Sequence, residues 1–240
     1  STPKHTLLYD YFGWEKPLFF HTSLLRNPDK SKLSKRHGHT DVSWYITEGF
    51  LPLAVLNFLA LMGWGHPDEK EVFDLDEFIK HFELNDLKAV APIFDLTKLT
   101  WMNQQYIQSL SDESLKTHIK EFCPDLHDDE LLEKLLPLIK TRMNTLKDFK
   151  TLTAHFFEAP TQTIKTQQEA VVVKDLSDHF SQLQDWNSEQ ILRECREVMS
   201  THHIRMPMLY TIFTGREKGL PLPESLEILG KNETLRRLAE

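Results

Sequence analysis

The sequence predicts a mainly helical protein that begins with a fragment of an α/β fold. Three observations carry this. Glycine is scarce, at 8 of 240 residues, which is too few for a many-turned β-protein. From about residue 41 onward, apolar residues recur every three to four positions between capping signals. Before that point a single helix is followed by one short apolar stretch, Pro17-Leu18-Phe19-Phe20-His21, which reads as a strand. One strand cannot make a sheet, so its neighbours are expected in residues upstream of this chain.

Bulk properties narrow the field further. Apolar residues make up 40% and charged residues 27%, enough to bury a core and unlike a disordered tail. No apolar run approaches the roughly 20 residues a membrane helix needs. The start, Ser1-Thr2-Pro3-Lys4-His5, has no signal-peptide character. Two cysteines, Cys123 and Cys195, suit a reducing compartment better than a disulfide scaffold. The net charge of −8 argues mildly against a nucleic-acid partner, but the charge is patterned. Residues 62–88 hold eight acids and three bases, whereas 131–150 hold five bases and two acids. Basic islands on an acidic chain can still bind a polyanion on one face.

The elements follow in order. Thr6–Phe12 is an amphipathic segment that stops at Gly13, a helix-ending residue. Residues 26–39 form a basic loop, with five Lys/Arg against one Asp and with Pro28, Asp29, Ser31 and Gly38 as turn formers. A strongly apolar helix over 51–62 takes Pro52 at its first position and belongs in a core. Residues 74–84 start with an acidic turn that suits the positive end of a helix dipole. A helix over 96–110 carries Leu99, Met102 and Tyr106 on one face, beside Trp101. Further helices are predicted near 112–122, 127–140, 142–158, 166–185, 187–200, 205–215 and 232–239. Residues 159–163 form a linker, and Pro221 and Pro223 break the pattern.

The basic loop is the main chemical candidate. Lys32 and Lys35, separated by Leu33-Ser34 just beyond a strand, suit a phosphate-binding loop. A preorganised ammonium on a polyphosphate stabilises charge that grows in a transition state. Cys123 with His127, and the pair His202-His203, lack the spacing of a metal site, and none is expected.

The wording of the loop, His21-x-Ser23-Leu24-Leu25-Arg26-Asn27-Pro28-Asp29-Lys30-Ser31-Lys32-Leu33-Ser34-Lys35-Arg36-His37-Gly38, resembles the KMSKS loop of class I aminoacyl-tRNA synthetases in its glutamyl form. The resemblance continues through Gly49-Phe50-Leu51-Pro52, Phe94-Asp95-Leu96, Trp101-Met102-Asn103, Thr145–Phe149, Thr214-Gly215 and Leu229-Gly230-Lys231. It covers essentially the whole chain, densely to about residue 110 and more thinly beyond.

The resemblance implies the C-terminal portion of a bacterial-type glutamyl-tRNA synthetase. Such enzymes activate glutamate with ATP and Mg2+ and pass it to tRNA(Glu). Lys32, Leu33, Ser34, Lys35 and Arg36 would form the ATP loop, with Lys35 the catalytic contact to the phosphates. Arg142, Lys147, Arg205 and Tyr210 would face tRNA. Tyr210 stands where the family often has an arginine, so it can stack on a base but cannot supply a charged contact. The implied division is 1–40, the end of the catalytic domain; 41–110, a stem-contact domain; and two helical anticodon-binding subdomains, 111–162 and 163–240. No HIGH-type motif or glutamate pocket accompanies the loop, so the chain alone is expected to bind tRNA without activating glutamate, and to carry no bound cofactor. The implied protein is a monomer of the bacterial cytoplasm, or of an organellar matrix. Two rival readings are a stand-alone tRNA-binding module and a helical protein-interaction scaffold.

Overall fold

A computed structural model describes residues 1–33, 40–88, 91–160 and 166–239. The chain divides into two compact units: Ser1–Val42 with Pro52–Leu99, and Ser43–Leu51 with Thr100–Glu240.

The first unit opens with α1 (Thr2–Phe12), which admits Pro3 in its first turn and closes at Gly13 with φ 64°. The Trp14 amide reaches back to the Tyr9 carbonyl at 2.9 Å, so the left-handed glycine supplies a C-cap. No α1 side chain is buried. Pro17–His21 forms no strand in this chain. A strand needs a neighbour for its amides and carbonyls, and here Leu18 is fully exposed and Phe20 more than half so.

Two helices follow in this unit. In α3 (Pro52–Leu61), preceded by α2 (Val42–Thr47), Ala54, Asn57 and Phe58 are buried. Leu53, Leu56 and Leu59 are exposed, so only one face of this apolar helix is core. In α4 (Leu75–His81), Asp74 caps the helix by accepting the Glu77 amide at 2.7 Å. A 3-10 turn, Leu84–Asp86, comes next. Buried Trp64 is the centre of the core, with Phe73 and Phe78 set edge-to-face on it at centroid distances of 5.6 and 5.2 Å.

The start of α5 (Leu96–Ser109) belongs to the first unit and its remainder to the second. Met102, Asn103, Tyr106 and Ile107 are buried, whereas Trp101 is exposed. Then come α6 (Asp112–Phe122), α7 (Asp129–Ile139) and α8 (Lys147–Phe157). Ser111 and Asp128 cap α6 and α7 through their side chains. The helix predicted over 142–158 starts only at Lys147. The Asp148 carboxylate accepts the Asn144 and Thr145 amides at 2.7 and 3.2 Å, and buried Asn103 donates its Nδ2 to the Asn144 carbonyl. Residues 140–146 are therefore held as a turn.

The second unit ends in α9 (Gln167–Gln182), α10 (Ser188–Thr201), α11 (Met206–Thr214), α12 (Leu222–Leu229) and α13 (Lys231–Ala239). Thr166 and Glu169 make a reciprocal capping box at the start of α9. Lys231 closes its other end by donating to the Ser181 and Leu183 carbonyls. Val172, Leu176, Phe180, Ile191, Cys195, Val198, Leu209, Phe213, Leu226 and Leu238 form one core. The sequence reading missed α12. Pro221 and Pro223 read as breakers, yet a proline in the first helical turn lacks only an amide that has no helical partner there.

Candidate nucleic-acid interface

The base of the basic loop is built by short polar side chains. The Asp29 carboxylate accepts the Ser31 amide at 2.9 Å and its hydroxyl at 2.6 Å. Lys30 sits at φ 66°, the left-handed turn position that this bonding allows. Buried Asn27 donates to the Ser31 hydroxyl at 2.9 Å. Arg26 bridges to Lys32 on one side and to Ile93 on the other, through Arg26 N to Pro92 O at 3.0 Å and Phe94 N to Arg26 O at 2.8 Å. The stem that presents Lys32 is thus anchored by backbone. Lys32 is exposed and Leu33 half-buried. Ser34, Lys35 and Arg36 lie outside the described residues.

In the second unit, Arg142 is exposed on the turn before α8, where its Nη1 donates to the Leu138 carbonyl at 3.2 Å. Tyr210, on α11, is half-buried and donates its hydroxyl to the Leu220 carbonyl at 2.8 Å. Burial pushes its phenol up from the ordinary range, while the Arg142 guanidinium is close enough to oppose that. The fold therefore brings Arg142 and Tyr210, 68 positions apart, into one electrostatic neighbourhood. Arg205 is exposed at the N-cap of α11.

Lys147 behaves differently. Its Nζ meets both oxygens of Glu48, at 2.8 and 2.9 Å. Beside this pair, the Leu146 amide donates to the Gly49 carbonyl at 2.8 Å. Glu48 was invisible to sequence reading because its partner is 99 positions away. The loop anchors Asn27 and Asp29 carried a signal, the turn-forming Asn-Pro-Asp run, but not the contacts they make.

Comparisons with known proteins identify the family. Residues 1–101 match the family described as tRNA synthetases class I (E and Q), catalytic domain, and residues 104–240 match the anticodon binding domain family. The class is thus a class I synthetase sequence in which a catalytic-domain match precedes a helical anticodon-binding body. The chain belongs to the glutamate–tRNA ligase family, of which it carries the C-terminal portion. The glutamate–tRNA ligase of Chlamydia muridarum is 39% identical over 253 residues, covering 99% of this chain and 49% of that protein. Glutamate–tRNA ligase 1 of Fervidobacterium nodosum is 36% identical, covering 100% and 52%. A crystal structure of a glutamate tRNA ligase from Elizabethkingia meningosepticum in complex with its amino acid superposes with a TM-score of 0.77 at 31% identity, covering 98% of this chain and 53% of that one. The chain spans about half the length of the curated relatives it matches. Among the described residues, no helix is long and apolar enough to cross a membrane.

Proposed function

We propose that this chain is the tRNA-binding part of a glutamate–tRNA ligase that activates glutamate with ATP and Mg2+ and transfers it to tRNA(Glu). The observation that carries the reading is the ordered pair of family matches, catalytic domain then anticodon-binding domain, over nearly the whole chain. In this reading Lys32, Leu33, Ser34, Lys35 and Arg36 form the ATP loop, and Lys35 stabilises the leaving pyrophosphate by charge. The anchored stem at Arg26, Asn27 and Asp29 supports this, because it fixes where the loop begins.

Arg142, Arg205 and Tyr210 are assigned to tRNA. A guanidinium can grip a phosphate or a base edge, and a tyrosine ring can stack on an unpaired base. Lys147 is assigned there too, with its charge shared with Glu48. The proposed organisation keeps 1–40 for the catalytic remnant, 41–110 for stem contact, and 111–162 and 163–240 for the anticodon-binding subdomains. The protein acts as a monomer in the bacterial cytoplasm.

Binding of this chain to tRNA(Glu) across a salt series tests the reading. Each phosphate contact adds about 0.9 to the slope of log affinity against log salt. Arg142→Gln should lower that slope by about 1 if the residue meets a phosphate, or blunt the penalty for an altered anticodon if it meets a base. The chain alone should show no glutamate-dependent ATP–pyrophosphate exchange. Absence of salt-dependent tRNA binding would sink the proposal.

A further inference from the structure

Among the described residues, two clusters bring three metal-capable side chains together: His66, Glu77 and His81, and His179, Glu194 and Glu197. Ring chemistry separates them. His66 Nδ1 accepts the Asp68 amide at 3.0 Å, so the neutral ring carries its proton on Nε2, the atom that faces Glu77 at 3.2 Å. A metal on Nε2 would need that proton on Nδ1, against a donor. Lys70 also holds Glu77 through a short contact. In the first cluster the ring thus turns an N–H, not a lone pair, toward Glu77.

The second has the opposite wiring. His179 lies on α9, one turn after Asp175, and Glu194 and Glu197 lie one turn apart on α10, which packs against α9. His179 Nδ1 faces Glu194 Oε2 at 2.7 Å, and Nε2 faces Asp175 Oδ1 at 3.8 Å. Asp175 is itself fixed by His202 Nε2 at 2.9 Å on its other oxygen. The ligand atoms of His179, Glu194 and Glu197 lie within 4.8 Å of one another.

We propose that His179, Glu194 and Glu197 form a site for a divalent transition metal of the zinc type, with Asp175 as the residue that orients the histidine ring. Facing helices that offer His and Glu at one-turn spacing are how helical bundles hold such ions. One imidazole and two carboxylates form a three-ligand set that leaves a fourth, tetrahedral position for water. A metal-bound imidazole donates its remaining N–H to a carboxylate, and Asp175 stands on that side of the ring. Metal on Nδ1 displaces the proton now shared with Glu194, which leaves to solvent. Arg193, which donates to the other oxygen of Glu194 at 2.8 Å, is 67% exposed and free to swing outward. Three carboxylates, Asp175, Glu194 and Glu197, favour a cation in this neighbourhood.

The test is equilibrium dialysis of the chelator-treated 240-residue chain against Zn2+, with Co2+ absorption as a spectroscopic readout and circular dichroism to check folding. One Zn2+ per chain is expected, with an absorption band typical of a four-coordinate N/O site for Co2+. His179→Gln and Glu197→Gln should each weaken binding at least about tenfold, and Asp175→Asn by about tenfold through ring orientation alone. Glu197 is exposed, so Glu197→Gln keeps the fold and the test remains decisive even if a histidine variant does not. His118→Gln, at an unrelated histidine, should change nothing. Zn2+ binding that is equal in the parent chain and in Glu197→Gln would mean adventitious histidine sites and overturn the proposal. Failure of the parent chain to retain stoichiometric Zn2+ would overturn it as well.

Discussion

Asn103 accepts the Leu51 amide on its Oδ1 at 2.7 Å, across 52 positions of sequence. Its Nδ2 donates to the Asn144 carbonyl at 2.5 Å, and the side chain is fully buried. One amide thereby holds the segment before α3 and the turn before α8 onto α5. Asn103→Leu removes both bonds, leaves the N–H of buried Leu51 without a partner and frees the Asn144 carbonyl. The expected cost is about 3 kcal/mol, read as a lower midpoint in urea denaturation. A midpoint equal to that of the parent chain would show that water replaces the side chain.

Gly49 makes the second contact between these segments. Its φ of 75° is left-handed, and an added Cβ would stand 2.6 Å from the Lys147 nitrogen and 2.9 Å from that of Leu146. Both obstacles are backbone and cannot rotate away. Gly49→Ala should cost about 2 kcal/mol or more, through strain and the clash together. The same denaturation experiment measures it. The Lys147–Glu48 pair should weaken in parallel, because it depends on the same approach.

Arg236 and Arg237 are neighbours with unequal weights. Arg236 meets Glu233 with a side chain that is half exposed. Arg237 is buried, donates to Glu233 through Nε at 2.7 Å and reaches the His155 carbonyl through Nη1 at 2.5 Å. Together they hold the Glu233 carboxyl down at about 2. Arg236→Ala should cost under about 1 kcal/mol, as exposed pairs do. Arg237→Ala should cost about 3 kcal/mol, because it also opens a hole and strands a carbonyl. Thermal melts of the two variants side by side decide the ranking.

The α9–α10 interface should respond to pH. The hydrogen bond to Glu194 holds His179 above its ordinary value of 6.5, with help from the charges of Asp175, Glu194 and Glu197. The same bond holds the Glu194 carboxyl below its ordinary 4.5, aided by Arg193. A raised histidine contributes fully below 6.5, and its contribution is lost as pH climbs through the folded value. A depressed carboxyl contributes fully above 4.5, and its contribution is lost as pH falls through its own folded value. The pair therefore stabilises most between pH 4.5 and 6.5. Melting temperature in metal-free buffer should fall between pH 6 and pH 9 more steeply for the parent chain than for His179→Gln. Parallel slopes would refute this coupling.

What could be read from the sequence had local causes. The capped starts of α6, α9 and α10 follow from Ser111, Thr166 with Glu169, and Asn187, each acting within three residues of itself. The order of the loop and helices also carried the family. The misses were set at a distance or by compatibility. The late start of α8 depends on Asn103, 41 positions away. The exposed leucines of α3 lie off the face on which Phe58 meets Phe94 and Asn57 accepts the Phe73 amide, a face periodicity cannot assign when nearly every position is apolar. Lys147, expected to face tRNA, shares its charge with Glu48, a partner no local pattern announces. The prolines at the head of α12 were judged by what they forbid in a helix interior rather than by what they permit at its first turn.

The packing of Trp64 has an optical consequence. Of the tryptophans in the first unit, Trp14 is 59% exposed and Trp64 only 2%. In the second unit, Trp186 lies against Phe180 and donates its indole N–H to the Leu226 carbonyl at 2.9 Å. A chain that keeps only Trp64 should fluoresce at short wavelength until its own unit opens. One that keeps only Trp186 should report the helical body instead. The two indoles thus give separate lamps for two melting events, whether these coincide or follow one another.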